Sequence, residues 1–178
     1  MFSVIFALAM MQQSPPDSAE PVDWDKEFGV EEQARDPQTG EIPVAEYPQS
    51  HDNAGAAPMD DAAIAAHFGG REGIRMIAAR TVELSENDPR IAAIFIAHDT
   101  VRLKRTLAEQ FCYLLAAGCD YTGRDMAAAH AAMGVRMADM NALVENLQQA
   151  MREHDVPFAA QNRLLAKLAP MSRDVITR

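Results

Sequence analysis

The sequence predicts an all-α fold over residues 59–178, preceded by a disordered acidic extension. Three observations carry this reading. Apolar residues recur at helical spacing, as in Leu103, Leu107, Phe111 and Leu114, and nothing in residues 59–178 reads as a strand. Helix punctuation separates these runs: Asp at candidate N-caps, Gly at candidate ends, Pro at candidate first positions. The charge is also split. Residues 1–61 hold 13 Asp/Glu against 2 Lys/Arg, whereas residues 62–178 hold 13 against 14, so the net charge of −10 belongs to the first third. The near-neutral remainder carries no basic stripe, which argues against nucleic acid as a partner.

Residues 1–11 form an apolar run too short to span a bilayer, so no stable membrane span is expected. With Ala7-Leu8-Ala9 as a candidate cleavage site, residues 1–19 read as a secretory signal without its basic start, or as an apolar tail. The first reading makes the protein periplasmic or secreted; the alternative is cytoplasmic. Residues 20–58 read as an acidic, Pro-rich linker. Seven of the ten prolines lie between Pro15 and Pro58, and no helical or alternating period runs through the segment. Such a composition cannot bury enough apolar surface to offset its ordering entropy. Trp24 and Phe28 are read as exposed.

The domain, residues 59–178, is expected to run helix by helix. Asp60 or Asp61 caps a short helix, Ala62–Phe68, which Gly69-Gly70 ends. A helix over about Glu72–Glu86 turns Ile74, Ile77, Ala78, Thr81, Val82 and Leu84 inward. Asp88-Pro89 opens a short helix carrying Ile91, Ile94 and Phe95. Asp99 caps the next, whose stripe is Leu103, Leu107, Phe111 and Leu114, and which gives out near Ala117-Gly118. A short helix from Asp125 carries Met126, His130 and Met133. Gly134 separates it from a long helix, about Met137–His154, with Met140, Leu143, Leu147 and Met151 inward. Val156-Pro157 starts the last helix, with Phe158, Leu164, Leu165 and Leu168 inward, and Pro170 interrupts it.

Two cysteines, Cys112 and Cys119, flank a helix end; no Cys-x-x-Cys-His is present for covalent haem attachment. They are either reduced thiols or a bridge, the latter requiring the helix to break after Leu115. Of five histidines, only His130 has apolar neighbours one helical turn away on both sides, Met126 and Met133. On that pattern alone it is an ordinary histidine or a ligand facing a Met-lined, apolar space.

An ordered set of residues gives it more weight. Gly69-Gly70, Asp88-Pro89-Arg90, Phe95, Arg102-Leu103-Lys104, Tyr121-Thr122-Gly123, His130, Gly134-Val135, Val156-Pro157 and Ala169-Pro170 follow one another at preserved spacing. In this, residues 60–176 resemble a group I truncated haemoglobin, a two-over-two helical globin. The resemblance implies haem b with its iron, and His130 as proximal ligand. It implies Phe95 packing on the haem face, Met126 and Val135 as contacts near the proximal side, and Phe111 in the haem-facing set. Arg102 and Lys104 match basic positions near the propionates; both are equally readable as a solvated helix face.

The departures lie on the other side. Where the family places a Tyr and often a Gln to donate to the gas, this chain has Val82 and Leu107, with Leu103 one turn earlier. Thr81, Gln110 and Tyr113 are the candidate hidden donors, and His98 a candidate sixth ligand. A turn with Ala117-Gly118 replaces the family's Gly-Gly, and Arg136 stands where a capping Ser or Thr is usual. The implied function is ligation of diatomic gases, O2, CO or NO, with an unidentified reductase as candidate partner. The alternatives are a haem-free helical interaction domain, or an NO-dioxygenase or peroxidase-type haem enzyme. The latter chemistry leans on polar groups that Val82, Leu103 and Leu107 do not supply.

Overall fold

The computed structural model of the chain describes residues 33–96 and 98–178. The signal-like residues 1–19, Trp24 and Phe28 lie outside them. Residues Ala34–Arg178 form one compact unit, all helical and without a strand among the described residues. No helix of the described residues is long and apolar enough to cross a membrane.

After a short 3-10 turn, His51–Ala54, comes a second, Ala62–Phe68, begun by the Asp61 carboxylate accepting the Ala63 N–H at 3.0 Å. Seven residues between Asp61 and a left-handed Gly69 (φ 75°) wind to the tighter 3-10 pitch rather than the α-helix expected. Helix α1, Gly70–Asn87, follows directly. Asp88 then accepts the Arg90 N–H at 3.0 Å and opens α2, Ala92–Ile96; Ile91 lies just before it, fully buried. Helix α3 is Thr100–Leu114, α4 Met126–His130, α5 Met137–Glu153 and α6 Phe158–Leu168. Pro170 ends α6; a 3-10 turn, Ala169–Met171, leads into α7, Ser172–Val175.

Two details differ from the sequence expectation. Met133 lies beyond α4, which ends at His130. Phe158 is 71% exposed, because it opens α6 immediately after Pro157 and the buried stripe begins at Ala160.

Helix α1 packs against both α3 and α5, and the closed core gathers between them. Ile64, Phe68, Ile74, Ile77, Phe111, Leu115, Leu147, Met151 and Leu164 form one cluster. A polar tie joins α5 to the end of α1: the buried Asn146 amide donates to Ser85 Oγ at 3.3 Å and to Asp88 Oδ2 at 3.2 Å.

The disordered linker expected over residues 20–58 is not what residues 34–58 form; residues 20–32 lie outside the described part. From Arg35 to Met59 the chain lies along α3 as an extended strap. Arg35 donates to Asp99 Oδ1 and the Ile42 N–H to Asp99 Oδ2, both at 2.8 Å. Asp99 therefore spends its carboxylate on the strap and makes no side-chain cap on α3. Glu41, 6% exposed, pairs with Arg105 and lies 3.1 Å from Arg102 Nη2. The Tyr47 hydroxyl donates to Thr122 O at 2.8 Å, Ala54 is fully buried, and the Met59 N–H donates to Leu114 O at 2.8 Å. Composition predicts whether a segment can build its own core. Here the acid of the segment meets the basic first half of α3, and order comes from a neighbour.

The Arg105 hydrogen bond is the main cause holding the Glu41 carboxyl below the ordinary glutamate range. Its contribution is therefore complete above that range and lost as pH falls through the depressed folded value. Glu41→Gln is expected to lower unfolding free energy by about 1–3 kcal/mol at neutral pH. In urea titrations the gap to wild type should close on acidification; a gap that widens in acid would remove Glu41 as the pin.

Candidate functional site

His130 is the last residue of α4, a single turn started by the Asp125 carboxylate accepting the Ala128 N–H at 2.9 Å. Its ring is partly buried, and Nδ1 lies 2.7 Å from the Met126 carbonyl oxygen. A carbonyl accepts and cannot donate, so Nδ1 carries the proton and donates. In the neutral ring Nε2 is then a bare lone pair, the form in which imidazole binds a metal.

The approach to α4 is braced. Cys112 and Cys119 are bridged, with Cα atoms 5.6 Å apart, across a turn that includes Ala116 at φ 53° and Gly118 at φ 77°. The helix breaks at Leu115, as a bridge requires. Tyr121 then folds back over Gly123, where a side chain would collide with its hydroxyl, and donates to Arg124 O at 2.9 Å. Burial is the first cause raising the Tyr121 hydroxyl to about 12, so it remains a donor throughout the physiological range. After His130, the Val135 carbonyl accepts the Thr177 and Arg178 N–H groups at 2.9 and 3.3 Å, and α7 packs against α4.

Apolar burial is uneven along the helices. The second half of α3 and the following residue are closed, with Phe111, Leu114 and Leu115 at 3% exposure or less. The first half is not: Leu103 and Leu107 are only partly buried. The same holds for Leu143 and Val144 of α5, against closed Leu147 and Met151. Helices α2 and α4 bury none of their residues; Ile94, Phe95, Met126 and His130 all remain partly open. Partly open apolar side chains on α2, α3 and α4, and an Nε2 left as the ligating nitrogen, are the residue types that hold a flat apolar group through one histidine.

Other expected site residues are placed as follows. Val82 of α1 is 1% exposed, and Val135, in the turn before α5, is 5% exposed. Phe111 belongs to the closed core one turn beyond Leu107. Arg102 donates from Nη2 to Ile42 O at 2.7 Å, while its Nε is buried without a partner. Lys104 pairs with Glu83 at 3.5 Å on the surface.

Two of the candidate hidden donors are hydrogen-bonded elsewhere, and Tyr113 has its ring against the strap. Thr81 Oγ1 donates to Ile77 O at 2.8 Å. Gln110 donates to Ala54 O at 3.0 Å. Tyr113 packs against the His51 ring of the strap, centroids 5.0 Å apart. His98 is exposed.

The profile of the bacterial-like globin family matches residues 64–177. The chain belongs to that family. Haem with its iron is the cofactor that goes with this membership. Among curated proteins this globin is similar to the group 1 truncated haemoglobin GlbN of Mycolicibacterium paratuberculosis. They are 24% identical over 118 residues, 66% of this chain and 87% of that protein. Among solved structures it is similar to the truncated haemoglobin of Tetrahymena pyriformis in its Fe(III) form, with a TM-score of 0.61 and 21% identity. The match covers 65% of this chain and 98% of that one. The 2/2 haemoglobin of Synechococcus sp. PCC 7002, in the cyanomet state with covalently attached haem, gives a TM-score of 0.59 and 20% identity over 65% of this globin and 98% of that chain. At these identities the solved structures establish the fold, the truncated two-over-two globin fold the sequence led us to expect.

Sequence reasoning missed the strap and the junction it makes at Gln110. One signal was present. The run Ala54-Gly55-Ala56-Ala57 is small enough for close packing, and a Cβ at Gly55 would meet Met171 Sδ at 3.0 Å.

The Cys112–Cys119 bridge closes a short loop, for which the chain-entropy relation gives about 2–3 kcal/mol. Native protein is expected to show no free thiol, and reduction to lower stability by that order in denaturant titration. Two reactive thiols in unreduced protein would count against the bridge.

Proposed function

We propose that this globin ligates diatomic gases at haem iron, which His130 Nε2 would hold, with Val82, Leu103 and Leu107 as the apolar residues that would meet the gas. The observation that carries the reading is the Nδ1–H hydrogen bond to the Met126 carbonyl, which leaves Nε2 as the free donor. Haem iron, when bound, supplies the open coordination position that a small gas occupies.

The chain's own residues divide the remaining work. Phe95 and Met126, both partly open, offer contact surface to a flat apolar ring, with Val135 behind the histidine. Leu103 and Leu107, backed by Val82 from α1, form the opposing wall and exclude water. Arg102, whose buried Nε has no partner, and Lys104 stand where carboxylates of the cofactor would meet charge, an exchange worth little where solvent reaches. Nothing on Val82, Leu103 or Leu107 can donate a hydrogen bond. O2 gains more from such a donor than CO does, so this wall does not favour O2.

The Cys112–Cys119 bridge supports placing the protein in an oxidising compartment, since thiols so paired in a reducing one are kept open. A periplasmic or secreted location is part of the proposal.

Protein purified from haem-supplied cells is expected to show a Soret band, and His130→Ala to lose the five-coordinate ferrous spectrum. An unchanged spectrum in the variant would remove His130 from the axial role. A purified wild type with no haem band would favour a haem-free interaction domain.

Stopped-flow measurements should find O2 release fast beside CO release, and Leu107→Gln should slow O2 release by roughly tenfold, the equivalent of one hydrogen bond of about 1.4 kcal/mol. Slow O2 release in wild type would mean that a donor reaches the gas after all.

A further inference from the structure

Gln110 is not used by the gas-binding reading, yet it is 6% exposed and placed where three segments meet. Its side-chain nitrogen lies 3.0 Å from Ala54 O in the strap, 3.5 Å from Met126 Sδ in α4 and 3.6 Å from Met171 Sδ just before α7. One amide hydrogen satisfies the strap carbonyl and the other faces two thioethers, weak acceptors that pack closely around it.

Met126 has a second role. It is the first residue of α4, and its carbonyl receives the His130 Nδ1 proton at 2.7 Å. Its side chain thus touches Gln110 while its main chain holds the imidazole. Helix α4 is five residues long and buries none of them, so it has little stability of its own. Where the Met126 carbonyl sits is decided by what grips Met126 from outside.

We propose that Gln110 is a positioning residue for His130, acting through Met126, and that it couples the N-terminal strap to the donor strength of the imidazole. The link to iron rests on His130 being the axial ligand. A firmly placed carbonyl keeps the Nδ1–H bond short, which makes Nε2 the more basic donor and holds the ring in one tautomer. Releasing Met126 lengthens that bond and weakens both effects.

The test uses the full chain in three variants: Gln110→Leu, Met126→Leu and the double change. Both single changes keep side-chain bulk; the first removes the amide hydrogens and the second the sulfur. The first readout needs no cofactor. In haem-free protein, imidazole nitrogen chemical shifts are expected to show His130 protonated at Nδ1 in wild type and a gain of the Nε2–H tautomer in Gln110→Leu. In ferrous, haem-loaded protein the iron–histidine stretching frequency should move down in the same variant. If the effect runs through Met126, the double variant should shift no further than the singles.

An unmoved tautomer in a Gln110→Leu protein of wild-type helical content overturns the proposal, and additive shifts in the double variant overturn the route through Met126. A wild type with the Nδ1–H tautomer but no iron–histidine band overturns the axial reading instead. Should Gln110→Leu not fold, Gln110→Glu, of the same size and without amide hydrogens, carries the same expectation.

Discussion

A backbone carbonyl accepts hydrogen bonds and never gives them, so the 2.7 Å contact between the Met126 carbonyl and His130 Nδ1 assigns the imidazole proton by itself. Much of the chemistry of the molecule depends on that bond. It fixes Nδ1 as a protonated nitrogen and leaves Nε2 as the nitrogen that can ligate. The bond is local, four residues across one turn, and needs α4 to be formed. Forming α4 needs the Asp125 cap, and placing Asp125 needs the turn that Tyr121 and Gly123 build together. The motif residues before the histidine are thus a set of mechanical requirements for one tautomer.

The core is arranged around the same point. An amphipathic helix normally closes its apolar stripe along its whole length. In α3 the stripe closes from Phe111 onward and stays partly open at Leu103 and Leu107, although all four positions carry large apolar side chains. Side-chain type therefore does not explain the gradient; the absence of an opposing surface does. α1 and α5 close the far end, whereas α2 and α4 at the near end bury nothing of their own. On the proposed reading a flat apolar group bound there would cover that surface, and binding would then add to stability.

Regular helices and their ends were legible because the physics that sets them is local. The Leu103–Leu114 stripe gave α3, Asp61 and Asp125 were readable as caps, and Pro170 as a stop. The strap was not legible, because its order comes from contacts 55 to 110 residues away in the chain, such as Met59 with Leu114, Glu41 with Arg105, Tyr47 with Thr122 and Ala57 with Lys167. Those contacts follow no period: Glu41, Tyr47, Ala54 and Met59 are spaced by the surface of α3, not by the segment's own geometry. At the proposed site, His130 and the three apolar positions Val82, Leu103 and Leu107 were singled out from spacing within one resemblance. The state of the histidine ring was not, because the sequence does not say which acceptor meets Nδ1. Asp99 shows the reverse error. It sits at a cap position, but its carboxylate is taken by Arg35 and the Ile42 N–H, since a distant pair of donors competes with the local one.

The two walls of the site owe their stiffness to different sources. Val82, Leu103 and Leu107 stand on α1 and α3, long helices packed directly on one another, and inherit the rigidity of the core. His130 stands on one turn with no buried residue, held by Gln110 of α3, by α7 and by the loop behind the Cys112–Cys119 bridge. Local opening costs least where buried apolar contacts are few. Displacement of His130 is therefore a soft coordinate of this fold, and a change at Gln110 or in the bridge reaches His130 before it reaches Val82, Leu103 or Leu107. On the proposed reading that asymmetry has a consequence: Val82, Leu103 and Leu107 carry no hydrogen-bond donor, so the bond from His130 to the iron would be the main quantity left through which the protein sets gas affinity.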